Sequence, residues 1–334
     1  MKPVDDSRDR PPGHLVLWSP GIRNHTGSPS HNLGDLIIEE YVLQELADVF
    51  PHWKVSRIST HLRLGPQQRR LIKTADRVLV GGSNLLSSYM DGYFQWDLTM
   101  ANAFAARGTV LMGAGWWKDQ GQPNRYTKIL LNLVLSRRFA HSVRDSQARK
   151  HLRDIHIPKV LNTGCPTMWG LAGIDTAAIR TAPARKVLCM LTDYYPEPEL
   201  DKALLNLLEA SYEQVFLWPQ GTEDERYVRE LGFGGTLLQS SLPALDRLLQ
   251  DEPDLDYVGT RLHGGVRCLR NGKRCLTLKV DNRAREISND TGLPTVDRDD
   301  LDGVRFWIRG SGPVRLSLPL EAINSWKEQF RKPD

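Results

Sequence analysis

Short apolar runs alternate along this chain with longer stretches in which apolar positions recur at helical spacing. Residues 14–18, 55–59, 77–80, 109–112, 139–143 and 160–162 read as strands, and 36–49, 65–74, 97–107, 124–136 and 147–153 as the helices between them. The rhythm weakens over the Ala-, Thr- and Pro-rich residues 171–185, which read as a linker. It then restarts with strands at 187–191, 214–218, 235–239, 255–258 and 275–280. Helical spacing follows at 199–210, from Thr222, at 243–250, after Gly265, at 285–291 and at 318–330. Thr222 and Glu225 have the spacing of a capping box. Parallel strands need helical crossovers, so this alternation predicts an α/β fold of two doubly wound Rossmann-like domains facing each other across a cleft. The expected boundaries are 14–175, 185–316 and a C-terminal bracing helix at 317–332, with residues 1–13 disordered.

In such sheets ligands bind beyond the carboxyl ends of the strands. Five polar clusters fall at those ends: Gly34-Asp35, Gly81-Gly82-Ser83, Arg144-Asp145, Arg261-Leu262-His263 and Asp281-Asn282-Arg283. The richest is Gly259-Thr260-Arg261-Leu262-His263-Gly264-Gly265, a glycine-flanked turn that opens into a helix. A helix N-terminus favours an anion, Arg261 adds a two-pronged donor, and His263 adds a group that exchanges protons near neutral pH. Gly82 and Ser83 offer backbone donors. The turn has neither the GxGxxG spacing nor a Walker lysine, so no dinucleotide or NTP site follows. Tyr89, Tyr93, Phe94 and Trp96 form a loop cluster that suits either sugar stacking or anchoring. His151 and His156 lack metal-site spacing and read as solvent-facing.

Composition changes this picture little. Lys and Arg number 44 against 40 Asp and Glu, a net charge of +4 that favours anionic substrates and is too small to argue for nucleic acid. Cys165, Cys189, Cys268 and Cys275 have no CxxC spacing and read as buried free thiols of a reducing compartment. The start of the chain has no apolar run of the kind a signal peptide needs, and no stretch is long enough to span a membrane. A cytoplasmic protein is expected. The basic helix at 317–332 reads as a brace between domains, with peripheral contact at the inner face of a membrane as its other use.

The ordered set Asn32-Leu33-Gly34-Asp35, Gly81-Gly82-Ser83, Arg144-Asp145-Ser146, Gly164-Cys165-Pro166-Thr167, Arg261-Leu262-His263 and Asp281 resembles the polysaccharide pyruvyl transferase family. The resemblance runs from about Leu17 to Pro294. It implies a GT-B-like fold, phosphoenolpyruvate as donor substrate with no cofactor or metal, and a sugar or lipid-linked oligosaccharide as acceptor, joined as a pyruvate ketal. It implies catalytic roles for His263 and Asp35. It sets Arg144, Arg261, Leu262, Gly264, Gly82, Ser83 and Asn32 against substrate. Two departures stand out: the usual Gly-Gly-Gly run ends in Ser83, and Lys279-Val280 replace a more aromatic stretch.

Ketal formation needs an acid for the methylene carbon, a base for the sugar hydroxyls and cations for the departing phosphate. His263 is assigned as the acid and Asp35 as the base. Arg144 and Arg261 are expected to hold the donor from different domains. The alternative is a nucleotide-sugar-dependent GT-B glycosyltransferase, with Glu286 as the one late candidate for a ribose contact. A non-catalytic sensor of an anionic metabolite is the reading from another class. The acceptor sugar and the oligomeric state stay open.

Overall fold

The computed structural model describes residues 13–174 and 179–331. Most of the expected disordered start, part of the linker and the last residue of the expected brace lie outside the described residues. The N-terminal lobe runs β1 His14–Ser19, α1 Leu33–Val49, β2 Lys54–Ser59, α2 Pro66–Lys73, β3 Arg77–Gly81, α3 Met100–Ala103, β4 Val110–Met112, α4 Arg125–Val134, β5 His141–Val143, α5 Ser146–Asp154, β6 Val160–Asn162 and α6 Pro166–Trp169. The C-terminal lobe follows with β7 Lys186–Met190, α7 Pro198–Ser211, β8 Gln214–Leu217, α8 Asp224–Glu230, β9 Thr236–Leu237, α9 Leu242–Asp251, β10 Leu255–Gly259, α10 Leu262–Arg270, β11 Arg274–Lys279, α11 Asn282–Thr291, β12 Thr295–Asp297 and α12 Leu301–Arg309. The helix α13, Leu320–Glu328, comes last.

Every paired strand is parallel. In the first lobe the order is β2-β1-β3-β4, and the β5-β6 pair joins it through a bridge between Ala114 and Val143. In the second it is β9-β8-β7-β10-β11-β12, the Rossmann order of two mirrored halves. The central runs Leu15–Trp18 and Val187–Met190 have no side-chain exposure, because helices cover both faces of each sheet. The strand order reverses between β1 and β3 in one lobe and between β7 and β10 in the other. A crevice opens at each reversal, and the two crevices face each other.

The lobes share apolar contacts. Ile37 and Tyr41 of α1 pack in one cluster with Leu262, Val266 and Leu269 of α10 and with Met168 and Leu171. The chain then returns: α13 places Trp326 and Ile323 in the N-terminal core, with Trp326 against Trp169 at 5.5 Å and Phe330 stacked on Phe139 at 5.3 Å. Lys327 pairs with Glu45 and Arg331 with Asp48. Ile323 and Trp326 of this helix thus face the protein, whereas Leu320 at its start is exposed.

Several elements differ from expectation for visible reasons. Helix over 97–107 shrinks to α3 because Trp96 is buried against Trp18, 5.9 Å between ring centres, and Asp97 N donates to Thr60 O at 2.8 Å. The strand at 139–143 starts only at His141, since Gln329 of the C-terminal segment binds both polar backbone groups of Ala140. The strand β12 and helix α12 arise from an Asp-rich stretch without a clear apolar run, where Asp300 caps α12 by accepting from Gly303 N at 2.8 Å. His151 is buried and stacks on Trp116 at 4.6 Å, whereas His156 is exposed. All four cysteines are free and buried.

Candidate active site

The interlobe cleft has two compartments that share Asn32, Asp35, Gln95 and Tyr194. The smaller, about 230 Å³, is lined also by Ser83, Asn84, Tyr93, Lys118, Tyr195 and Arg283. The larger, about 400 Å³, adds Arg23, Ser30, His31, His61, Thr222 and Arg261.

Asp35 is positioned from β1 and α1. Asn32 caps α1, its Oδ1 accepting from Gly34 N at 3.0 Å and from Gln220 Nε2 of the other lobe at 3.3 Å. Leu33 N donates to Gln220 O at 3.0 Å, so the helix start is itself an interlobe contact. A Cβ at position 34 would lie 2.6 Å from Gln220 Nε2, which explains the glycine before Asp35. The carboxyl is raised to about 6: burial drives it up, against the opposing pull of His61, Arg283 and hydrogen bonds from Ser30 and Asn32. A carboxyl in that range is matched to general-base work near neutral pH.

The second turn is built by Gly82 and Ser83, both in left-handed backbone at φ 70° and 59°. A Cβ on Gly82 would meet Ile38 Cγ2 at 2.1 Å, so Gly82 lets α1 close on the sheet and does not itself line the cleft. Ser83 and Asn84 do. Behind Asn84 lies Arg144, with 1% of its surface exposed. Its Nη2 donates to Asn84 Oδ1 and its Nε reaches Asp145 at 3.4 Å, while Nη1 is buried with no hydrogen-bond partner among the described residues.

The α10 turn departs furthest from its sequence reading. Arg261 is buried, and two of its nitrogens are committed. Nε donates to Leu191 O at 3.2 Å and Asp224 Oδ2 at 3.1 Å, and Nη2 donates to Asp193 Oδ1 at 3.0 Å and to Asp224. Asp224 also accepts from the backbone N–H of Asp193, Gln220 and Gly221. That use of Asp224 replaces the expected Thr222 capping box: Glu223 is the N-cap and makes no side-chain cap bond. Burial would raise the Asp224 carboxyl, but Arg261 and these donors hold it below the usual range. Arg261 is thus a bracket between β7, β10 and α8 that presents one edge to the larger compartment. Leu262 and Gly264 line neither compartment: Leu262 is core, and a Cβ at 264 would lie 2.3 Å from Met190 Sδ.

His263 is buried and lines neither compartment, with Nε2 3.8 Å from Cys165 Sγ. Burial lowers its pKa to about 3, helped by the charges of Arg283 and Arg144 and opposed by Asp281. The ring is neutral at physiological pH, so it needs a bound anion beside it before it can act as an acid. The smaller compartment holds Arg283, paired with Asp281 at 2.6 Å and donating to Tyr194 OH at 2.6 Å. Its guanidinium is stabilised by Tyr194 and Asp281 against the cost of burial. Arg283 lay inside a polar cluster legible in the sequence. Lys118, Tyr194 and Tyr195 carried no motif signal. Glu286 is paired with Arg285 at 3.1 Å and does not line either compartment, which leaves no ribose contact at that position.

Two facing Rossmann-like lobes with the cleft at both strand-order reversals define a two-domain α/β fold of the GT-B type. The chain belongs to the polysaccharide pyruvyl transferase family, whose model matches residues 32–282. In fold it is similar to the UDP-GlcNAc 2-epimerase of Methanocaldococcus jannaschii in complex with UDP-GlcNAc and UDP, at 11% identity and a TM-score of 0.55 over 95% of this chain and 98% of that one. The UDP-GlcNAc 2-epimerase of Neisseria meningitidis, bound to UDP-GlcNAc, aligns at 12% identity and a TM-score of 0.44, again over 95% and 98%. No curated protein matches the sequence. Among the described residues, no helix is long and apolar enough to cross a membrane.

Proposed function

We propose that the chain moves the enolpyruvyl group of phosphoenolpyruvate onto a sugar unit of a polysaccharide or glycolipid and closes it as a pyruvate ketal. The observation that carries this reading is Asp35 at the junction of the two compartments, with its carboxyl raised to about 6. The smaller compartment, at about 230 Å³, lies below the roughly 300–1,000 Å³ of sites for larger ligands and suits a three-carbon donor. The larger one suits the acceptor.

The steps follow from the placement. Donor anions beside Arg283 and Arg144 offset the two charges that hold His263 neutral, so the imidazole takes up a proton as donor binds. His263 passes that proton to the methylene carbon, which leaves an oxocarbenium-like centre at the carbon bearing phosphate. A sugar hydroxyl adds there while Asp35 takes its proton. Asp35 returns that proton to the phosphate as it leaves with the electron pair of the C–O bond, and a second hydroxyl of the same sugar closes the ring, its proton going to the now neutral His263. General acid–base help of this kind contributes about 10²- to 10⁴-fold each. The test is phosphate release from phosphoenolpyruvate by purified protein, against a panel of sugars and glycolipids. Release with one acceptor class, abolished in Asp35→Asn and His263→Ala, supports the reading. Consumption of a nucleotide sugar instead would replace it.

A further inference from the structure

The turn after β4 holds Lys118 in left-handed backbone, φ 56°. That conformation is strained for a non-glycine residue and persists only where the surroundings hold it. Here residues of the opposite lobe contact the chain on both sides of it. Asn282 Nδ2 donates to Trp116 O at 3.4 Å, and Arg285 pairs with Asp119 at 2.7 Å. Both partners stand on α11.

This turn aims the side chain into the smaller compartment. Lys118 Nζ lies 4.6 Å from the centre of the Trp117 ring and 6.0 Å from that of Tyr195. Among the described residues no carboxylate pairs with it, whereas Arg283 across the compartment is already held by Asp281. Lys118 is exposed at the mouth, and Arg144, with its open Nη1, is buried at the back.

We infer that Lys118 is the cation that holds the phosphate of the donor. The inference rests on the donor reading above and adds an orientation to it. The bond that breaks joins the central carbon to the phosphate oxygen, and phosphate departs with the electron pair, taking up the proton that Asp35 removed from the first sugar hydroxyl, as the hydrogenphosphate dianion. The part that leaves faces the mouth, where a mobile ammonium resting on aromatic faces can take it and let it go. The part that stays, with its carboxylate, lies toward Arg283 and Arg144.

The experiment is calorimetric titration of the full-length protein with phosphoenolpyruvate, inorganic phosphate and pyruvate. Lys118→Gly and Lys118→Arg are compared with the native chain. Glycine is the chosen replacement because it accepts φ 56° without strain, so the fold is retained. Lys118→Gly is expected to weaken phosphoenolpyruvate and phosphate roughly tenfold or more while leaving pyruvate within about twofold. Lys118→Arg restores most of the loss. Unchanged phosphate binding in Lys118→Gly, or an equal loss for pyruvate, overturns the assignment. Lys118-dependent phosphate binding by a protein that ignores phosphoenolpyruvate would sustain the anion subsite and sink the donor reading.

Discussion

Replacing Asp35 with Asn should make the protein more stable while removing its activity. The carboxyl is raised from 3.8 to about 6 by burial, so at neutral pH the folded state holds an ion it would prefer to protonate. A shift of this size corresponds to about 3 kcal/mol at most, since one unit is 1.36 kcal/mol. Asp35 is only half-buried at the cleft wall, and screening reduces the figure to about 1–2 kcal/mol. The sign follows from linkage. A carboxyl raised in the folded state binds more protons there than in the unfolded chain between pH 3.8 and 6, so native stability from this group falls as pH rises through that window. Urea unfolding of both proteins at pH 7.5 and pH 5 is the assay. The Asn variant should gain its full margin at pH 7.5 and roughly half of it at pH 5. A variant less stable than the native protein at pH 7.5, or a gain that grows toward pH 5, would refute the reasoning.

Other substitutions test separate parts of the site. Gly82→Ala introduces a Cβ 2.1 Å from Ile38 Cγ2 in a left-handed residue and should cost about 2–4 kcal/mol in urea unfolding, with α1 displaced. Asp224→Ala removes the buried carboxylate of Arg261, leaving it Asp193 and Leu191 O, and strands three backbone donors; it should cost about 3–5 kcal/mol, more than expected of a ligand contact alone. His263 is depressed to about 3, so the unfolded chain binds more protons between that value and 6.5, and stability from this group is lost as pH falls through the window. The same depression predicts proton uptake when phosphoenolpyruvate binds near pH 7, measurable by calorimetry in buffers of different ionisation enthalpy and absent in His263→Ala.

The alternation of apolar runs made the two lobes legible, because parallel strands buried on both faces leave little room for polar residues. Leu15–Trp18 and Val187–Met190 are read as strands without ambiguity for that reason. The strand order was not legible: it depends on which crossovers pack where, and no local pattern encodes it. The site was legible where motif and strand end coincide, as at Asn32–Asp35 and Ser83. At Arg261 the motif did not show the carboxylate partners Asp193 and Asp224, which stand far off in sequence and claim two of its nitrogens, although the residue does line the larger compartment. Leu262 and Gly264 looked like site residues because they flank His263, yet they pack inside the protein and line neither compartment. Lys118 was invisible, since its placement comes from α11 contacts across the cleft and a backbone angle that composition does not announce.

The account stands most directly on carbon protonation in the interlobe cleft. Purified protein, phosphoenolpyruvate and a competent acceptor combined in heavy water, with the product read by mass spectrometry and proton NMR, test it in one measurement. The account predicts a ketal whose methyl group carries one deuterium, with one phosphate released per ketal formed. A ketal methyl without solvent deuterium, or a product that keeps the phosphate, would contradict it.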